Sequence, residues 1–133
     1  TITVIGPNSR LLGGAILPGA AVSLEALSDA ASLLPRISLE APKRVIGSGT
    51  IECMKSGAVF GAACAIDGMI DRMEAELGGS AAVVATGGLA ERIIPYCTHD
   101  IELDDYMLLR GLSLIWQRNR RERRREAKQA PHA

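Results

Sequence analysis

"TIECMKSGAVFGAACAIDGMIDRMEAEL", Thr50 to Leu77, runs without a proline between two glycine-rich breaks, "GSG" before it and "GGS" after it. The run predicts one long helix, with Thr50 as N-cap and Cys53, not Glu, at the capping-box position. Gly57, Gly61, Ala65 and Gly68 fall at spacings of four, four and three, so they share a ridge of the helix. Such a ridge lets another backbone pack closely. Each helical glycine costs about 1 kcal/mol against alanine, so tight core packing is expected to offset that cost. Cys53 and Cys64 on one helix would stand about 16 Å apart, too far for a disulfide.

Upstream of this helix, "TITVI" is β-branched, "GPNS" supplies turn chemistry and "RLLGGAIL" resumes an apolar run. Together they predict a hairpin whose second strand ends near Pro18. Gly19 to Leu34 predicts a helix with Val22, Ala26, Leu27, Ala30 and Leu34 on one face, stopped by Pro35. "RISL" is expected as a short strand and "EAPKRVIGSG" as a loop. Downstream, "AAVVAT" predicts a buried strand, "GGLAERIIPYC" a short helix ended by Pro95, and "HDIEL" another short strand. Met107 to about Lys128 predicts a last helix, amphipathic first and then wholly charged. The order of elements defines an α/β fold, a mixed sheet packed by helices.

The 133 residues suit one domain. Net formal charge is zero but uneven, because seven Lys/Arg from Arg118 onward face only Glu122 and Glu126. The body before that tail is acidic. Three cysteines, Cys53, Cys64 and Cys97, show no metal-ligand spacing, and with no signal-peptide pattern they point to a reducing cytoplasm. The longest near-apolar run, Gly57–Ile66, falls short of the ~20 residues that span a bilayer. Aromatics make up 3%, so no base-stacking surface is expected. The abrupt start on a strand pattern at Thr1 suggests a missing upstream portion.

Several segments carry candidate chemistry. "VVATGGLAE", Val83–Glu91, reads as strand, glycine turn and helix start, where open backbone and free N–H groups suit a phosphate. It lacks the third glycine of a dinucleotide fingerprint and the lysine of a P-loop. Asp67, Asp71 and Glu74 stack carboxylates at helical spacing. They could hold a divalent ion, but a solvated face with an Arg72–Glu76 pair is the preferred reading. His99 and His132 stand alone and read as structural or inert. The tail "RNRRERRREAKQ" could meet nucleic-acid phosphates. A solvated helical extension is the preferred reading, since acidic residues interrupt it and aromatics are scarce. Trp116 is expected to pack the last helix.

Four segments, "LGGAILPG" (Leu12–Gly19), "VIGSGTIECMKSGAVFG" (Val45–Gly61), "VVATGGLAE" (Val83–Glu91) and "LLRGLSLIWQRN" (Leu108–Asn119), occur in an order and spacing that resemble the C-terminal lobe of a type III pantothenate kinase. The "SLLPRISL" link fits too. The resemblance runs from Thr1 to about Asn119, about half of a family member. It implies a ribonuclease-H-like lobe of the actin/hexokinase/Hsp70-like ATPase fold over residues 1–119, with residues 120–133 as a basic helical extension or frayed tail. It also implies ATP-dependent phosphorylation of pantothenate, the first step of coenzyme A synthesis, with ATP and Mg²⁺, a potassium ion and a homodimer. Carried over residue by residue, Gly13, Gly14, Gly19 and Ala31 would border the acceptor, and Thr86, Gly87 and Gly88 would face the nucleotide.

Two departures qualify the resemblance. The family's phosphate loop, general-base aspartate and potassium-binding aspartate lie upstream of a sequence that starts like "TITVI", so the catalytic residues are expected in a partner N-terminal half and the chain alone is expected to be inactive. Ala31 stands where the family usually carries a substrate-contacting threonine. Ser32, next along, would point about 100° around a helix. The expectation is therefore the C-terminal lobe or subunit of a type III pantothenate kinase-like protein. The alternative is a non-catalytic, kinase-like interaction or regulatory module that binds nucleic acid through its basic tail. No membrane partner is expected.

Overall fold

A computed structural model describes residues 1–129, with side chains as far as Arg124. His132 and the end of the basic extension lie outside the described residues. Strands β1 (Ile2–Gly6) and β2 (Arg10–Ala15) form the antiparallel hairpin, with a register shift between Val4 and Ile5. A 3₁₀ turn at Pro7–Ser9 joins them. Asn8 and Ser9 take left-handed φ values of 59° and 58° there, a region in which asparagine is readily accommodated. β2 stops at Ala15 and not near Pro18.

Helix α1 (Ala20–Ala30) ends four residues before the Leu34 expected from Pro35. The Ser28 hydroxyl lies 3.1 Å from the carbonyl oxygens of both Leu24 and Pro35, and Arg36 pairs with Asp29 at 2.7 Å. Chain beyond Ala30 therefore folds back on the helix end. "RISL" forms no strand. Leu39 is buried there, and its carbonyl accepts a hydrogen bond from the Arg92 guanidinium at 2.9 Å in place of a ladder.

Helix α2 (Thr50–Leu77) is the long helix the sequence predicts, but Gly49 and not Thr50 occupies the N-cap. No side chain caps the helix; instead the Glu52 carboxylate ties down the preceding loop, accepting from the Ser48 N–H at 2.9 Å and the Ser48 hydroxyl at 2.7 Å. Gly47 lies so close to the first turn that a Cβ would stand 2.5 Å from the Cys53 nitrogen. At the far end Gly78 turns left-handed at φ 74°, and the Gly79 N–H reaches the Glu74 carbonyl at 3.1 Å. That is the glycine-terminated C-cap expected of "GGS".

Strand β3 (Val83–Ala85) leads to α3 (Ala90–Ile93) and a 3₁₀ turn at Ile94–Tyr96, where Pro95 sits without ending the turn. Strand β4 (Ile101–Leu103) then pairs parallel to β3. The four strands form two separate two-stranded sheets, not one mixed sheet. Helix α4 (Met107–Gln129) follows.

α2 is the platform of the core. Met54, Val59 and Ala63 from α2 cluster with Leu24, Leu39 and Ile93, and Val59 is fully buried. Phe60 meets Tyr96 edge to face at 5.1 Å. Gly57, Gly61 and Ala65 lie on the exposed side, so the small-residue ridge does not pack in this core. α2 is also long and apolar enough, by length and composition, to cross a bilayer, contrary to the estimate from Gly57–Ile66. A long core helix meets the same measure, and the buried face of α2 carries this core.

Candidate functional site

Each glycine-rich corner adjoins an element that packs on this platform. Ala20, next to Gly19, packs against the core cluster, and Ile93 anchors α3 in it. Gly13 in β2 has φ +149°, a conformation that side chains rarely adopt, and open space where a Cβ would stand. Gly14 differs. A Cβ there would stand 2.0 Å from the Ile2 carbonyl oxygen, so the hairpin partner itself demands glycine. Gly19, the N-cap of α1, again faces open space.

Ala31 is the C-cap of α1, in an extended conformation with φ −124°. Ser32 is consequently not offset from it as on a helix. Gly19 and Ala31 cap opposite ends of α1, about 18 Å apart along the axis, and no small acceptor touches both ends of one such helix. Gly13 and Gly14 lie in β2, and Gly19 and Ala31 stand at the two ends of α1.

In the second corner Thr86 follows β3, Gly87 turns at φ +111° and Gly88 faces open space. The Gly87 carbonyl accepts from the Ala90 N–H at 3.0 Å. α3 has four residues, too short for the helix-dipole contribution that the sequence suggested. What remains of the expected phosphate corner is an unobstructed glycine backbone. A concavity of about 210 Å³ lies elsewhere, on α4, lined by Trp116, Gln117, Arg120, Arg121 and Arg124.

Sequence reasoning missed a polar cluster between α2 and the segment before β4. Asp67 accepts hydrogen bonds from the Thr98 N–H at 2.8 Å and the His99 N–H at 3.2 Å, and its carboxylate meets His99 Nδ1 at 2.9 Å. His99 Nε2 lies 3.1 Å from Asp71. Burial pushes the Asp67 carboxyl upward, but the hydrogen bonds from Thr98 and His99 outweigh it and hold its pKa at about 2. The Asp67 hydrogen bond raises His99 above its ordinary 6.5, against partial burial and with help from Asp71 and Glu74. The "THD" step, 31 residues or more from Asp67 in sequence, carries no local signal of this contact. Among the described residues no group of His, Cys, Asp or Glu is arranged to hold a metal ion. Arg72 turns back to the Gly68 carbonyl at 2.7 Å and not toward Glu76.

The cysteines are free, and burial raises Cys97 to about 11. Such a thiol is a poor nucleophile at neutral pH.

Fold and corners thus define an α/β lobe with open glycine turns. Its exposed area is 10344 Å², where a compact monomer of this size shows about 6,700 Å². Residues 1–72 match the family described as type III pantothenate kinase. Proteins of that name from Moorella thermoacetica and Mycobacteroides abscessus are 42% and 39% identical over 119 and 132 residues, covering 90% and 96% of this chain. One from Deinococcus radiodurans is 43% identical over 113 residues, or 85% of the chain. The aligned regions make up 47%, 48% and 43% of those three proteins, so the chain spans about half the length of the curated relatives it matches. The chain belongs to the type III pantothenate kinase family.

Proposed function

We propose that this chain is the C-terminal, ribonuclease-H-like lobe of a pantothenate kinase and works with the half of its relatives' length that it does not span. The exposed apolar surface carries this reading. Ile16, Leu33 and Ile46 are 88%, 91% and 85% exposed, and Leu108, Leu109, Leu112 and Ile115 line α4 in the open. Apolar surface on this scale is characteristic of an interface. The total exposed area exceeds that of a compact monomer of this size by about 3,600 Å², well above the ~800 Å² that a standard interface takes from each partner.

In this reading Gly13 and Gly19 present backbone to the pantothenate acceptor, and Gly14 lets β2 lie close enough to β1 to place them. Thr86, Gly87 and Gly88 form one wall of the nucleotide cleft. The other half supplies most of the contacts to ATP, Mg²⁺ and potassium, together with the groups that orient the acceptor hydroxyl. Phosphoryl transfer consists mainly of positioning and charge stabilisation, so a lobe that holds only the acceptor side turns nothing over alone. The exposed ridge of Gly57, Gly61 and Ala65 suits a helix of a second copy, since small residues permit close backbone approach. Three free cysteines suit a reducing cytoplasm.

The test mixes this chain with the N-terminal half of a relative, ATP, Mg²⁺, potassium and pantothenate. Potassium-dependent formation of phosphopantothenate is expected, with none from either half alone. If the two halves associate but neither bind nor phosphorylate pantothenate, the non-catalytic reading replaces this one.

A further inference from the structure

We propose that the basic half of α4 binds single-stranded nucleic acid, with Trp116 as the stacking platform for one base and Arg120, Arg121 and Arg124 holding the adjoining phosphates. The inference is independent of the kinase reading and starts from a correction to the sequence. Trp116 does not pack the last helix; it is 60% exposed. It borders the 210 Å³ concavity together with those three arginines and Gln117. The Arg120 guanidinium lies over the indole at 5.2 Å.

Two features favour an unpaired strand over other anions. A free phosphate needs no aromatic wall, whereas an exposed ring beside a run of cations matches the alternation of base and phosphate. The apolar and basic parts of α4 also succeed one another along the helix: Leu108, Leu109, Leu112 and Ile115 come first, and the arginines follow. A helix lying on a lipid surface would flank its apolar stripe with cations over the same turns. At 100° per residue, the face of Arg120, Arg121 and Arg124 is centred about 140° around the helix from that stripe. Covering the stripe leaves the arginine face open, while Trp116, about 50° from the stripe's centre, lies on the stripe itself, so the site is complete when the stripe is uncovered. Arg118 is drawn to Glu122 at 3.2 Å and is left out of the site.

The protein has a single tryptophan, so its own fluorescence reports on the stacking step. The full chain is titrated with a labelled oligothymidine, following anisotropy and indole emission across salt concentrations. Quenching of Trp116 in parallel with binding is expected. So is a log K against log salt slope of about −2, since three phosphate contacts on a single strand give about −0.7 each. Trp116→Ala should weaken binding about tenfold with an unchanged slope. Arg120→Gln, Arg121→Gln and Arg124→Gln together should flatten the slope to near zero. All four side chains are exposed, and unchanged far-ultraviolet circular dichroism confirms that the variants fold. Absence of binding at low salt overturns the proposal. So does binding without quenching, or tighter binding to vesicles of anionic lipid than to the oligonucleotide.

Discussion

At Gly14 the methyl group of an alanine would stand 2.0 Å from the Ile2 carbonyl oxygen, while at Gly19 it would meet nothing within 4 Å. Both glycines lie in one motif, yet only one is demanded by the chain's own backbone. Gly14→Ala should destabilise the hairpin by about 1–3 kcal/mol, as overpacking does, measured by urea denaturation. Gly19→Ala should cost only about 0.5–1 kcal/mol, because alanine is a poorer N-cap than glycine, and, in the proposed two-half enzyme, raise KM for pantothenate. His99 makes a second prediction at this scale. Its pKa is raised in the fold, so its stabilising contribution is full below the unfolded value of about 6.5 and is lost as pH rises through the folded value. Asp67 works in the opposite direction: held at about 2, it stabilises above the ordinary carboxylate value and stops doing so as pH falls toward 2. Thermal midpoints followed from mildly acid to mildly alkaline pH should decline for the native chain and flatten in His99→Gln. An equal decline in both would remove His99 as the cause. Asp67, Asp71 and Glu74 all face His99 from α2, and none of that is visible in a sequence where they stand far upstream.

α2 is the element in which sequence and structure agree best, because length, lack of proline and glycine breaks at both ends all act locally. The ridge of Gly57, Gly61 and Ala65 was legible as a ridge but not as an exposed one, since spacing gives a face and not its neighbour. "RISL" had strand composition and found no strand beside it; a ladder needs two partners, and only one can be read from a single segment. The early end of α1 has the same origin, for Ser28 reaches the Pro35 carbonyl and Arg36 reaches Asp29 only after the chain has turned. Open glycine corners at Gly13 and Gly87 were legible because positive φ is written into residue type. α3 is held by the Arg92 hydrogen bond to Leu39 and by Ile93, 5% exposed, which anchors it to the core that α2 carries. Ile93→Ala should cost about 2–5 kcal/mol. It should also speed amide hydrogen exchange in the Thr86–Gly88 turn more than in the β1–β2 hairpin, which does not share that contact.

For the whole molecule the governing quantity is apolar surface left in water. Among the described residues, the buried hydrophobic cluster is made by α1, α2, α3 and Leu39, while both strands of the hairpin and the first half of α4 keep large apolar side chains in the open. A protein in that condition should bind the dye ANS and give it up when the missing contacts form. Adding the N-terminal half of a relative is expected to suppress ANS emission, raise the thermal midpoint and produce a complex in ultracentrifugation. If α4 is the main contact, Leu112→Asp with Ile115→Asp should abolish the complex. The chain's own unfolding midpoint should stay within a few degrees of the native value, since those side chains are already 55% and 59% exposed. If the hairpin is the main contact instead, Leu11→Asp with Leu12→Asp will do so, and the α4 pair will be silent. Failure of both pairs, with ANS emission unchanged on mixing, would mean that this apolar surface serves only contacts between copies of the chain, and the two-half enzyme would lose its physical basis.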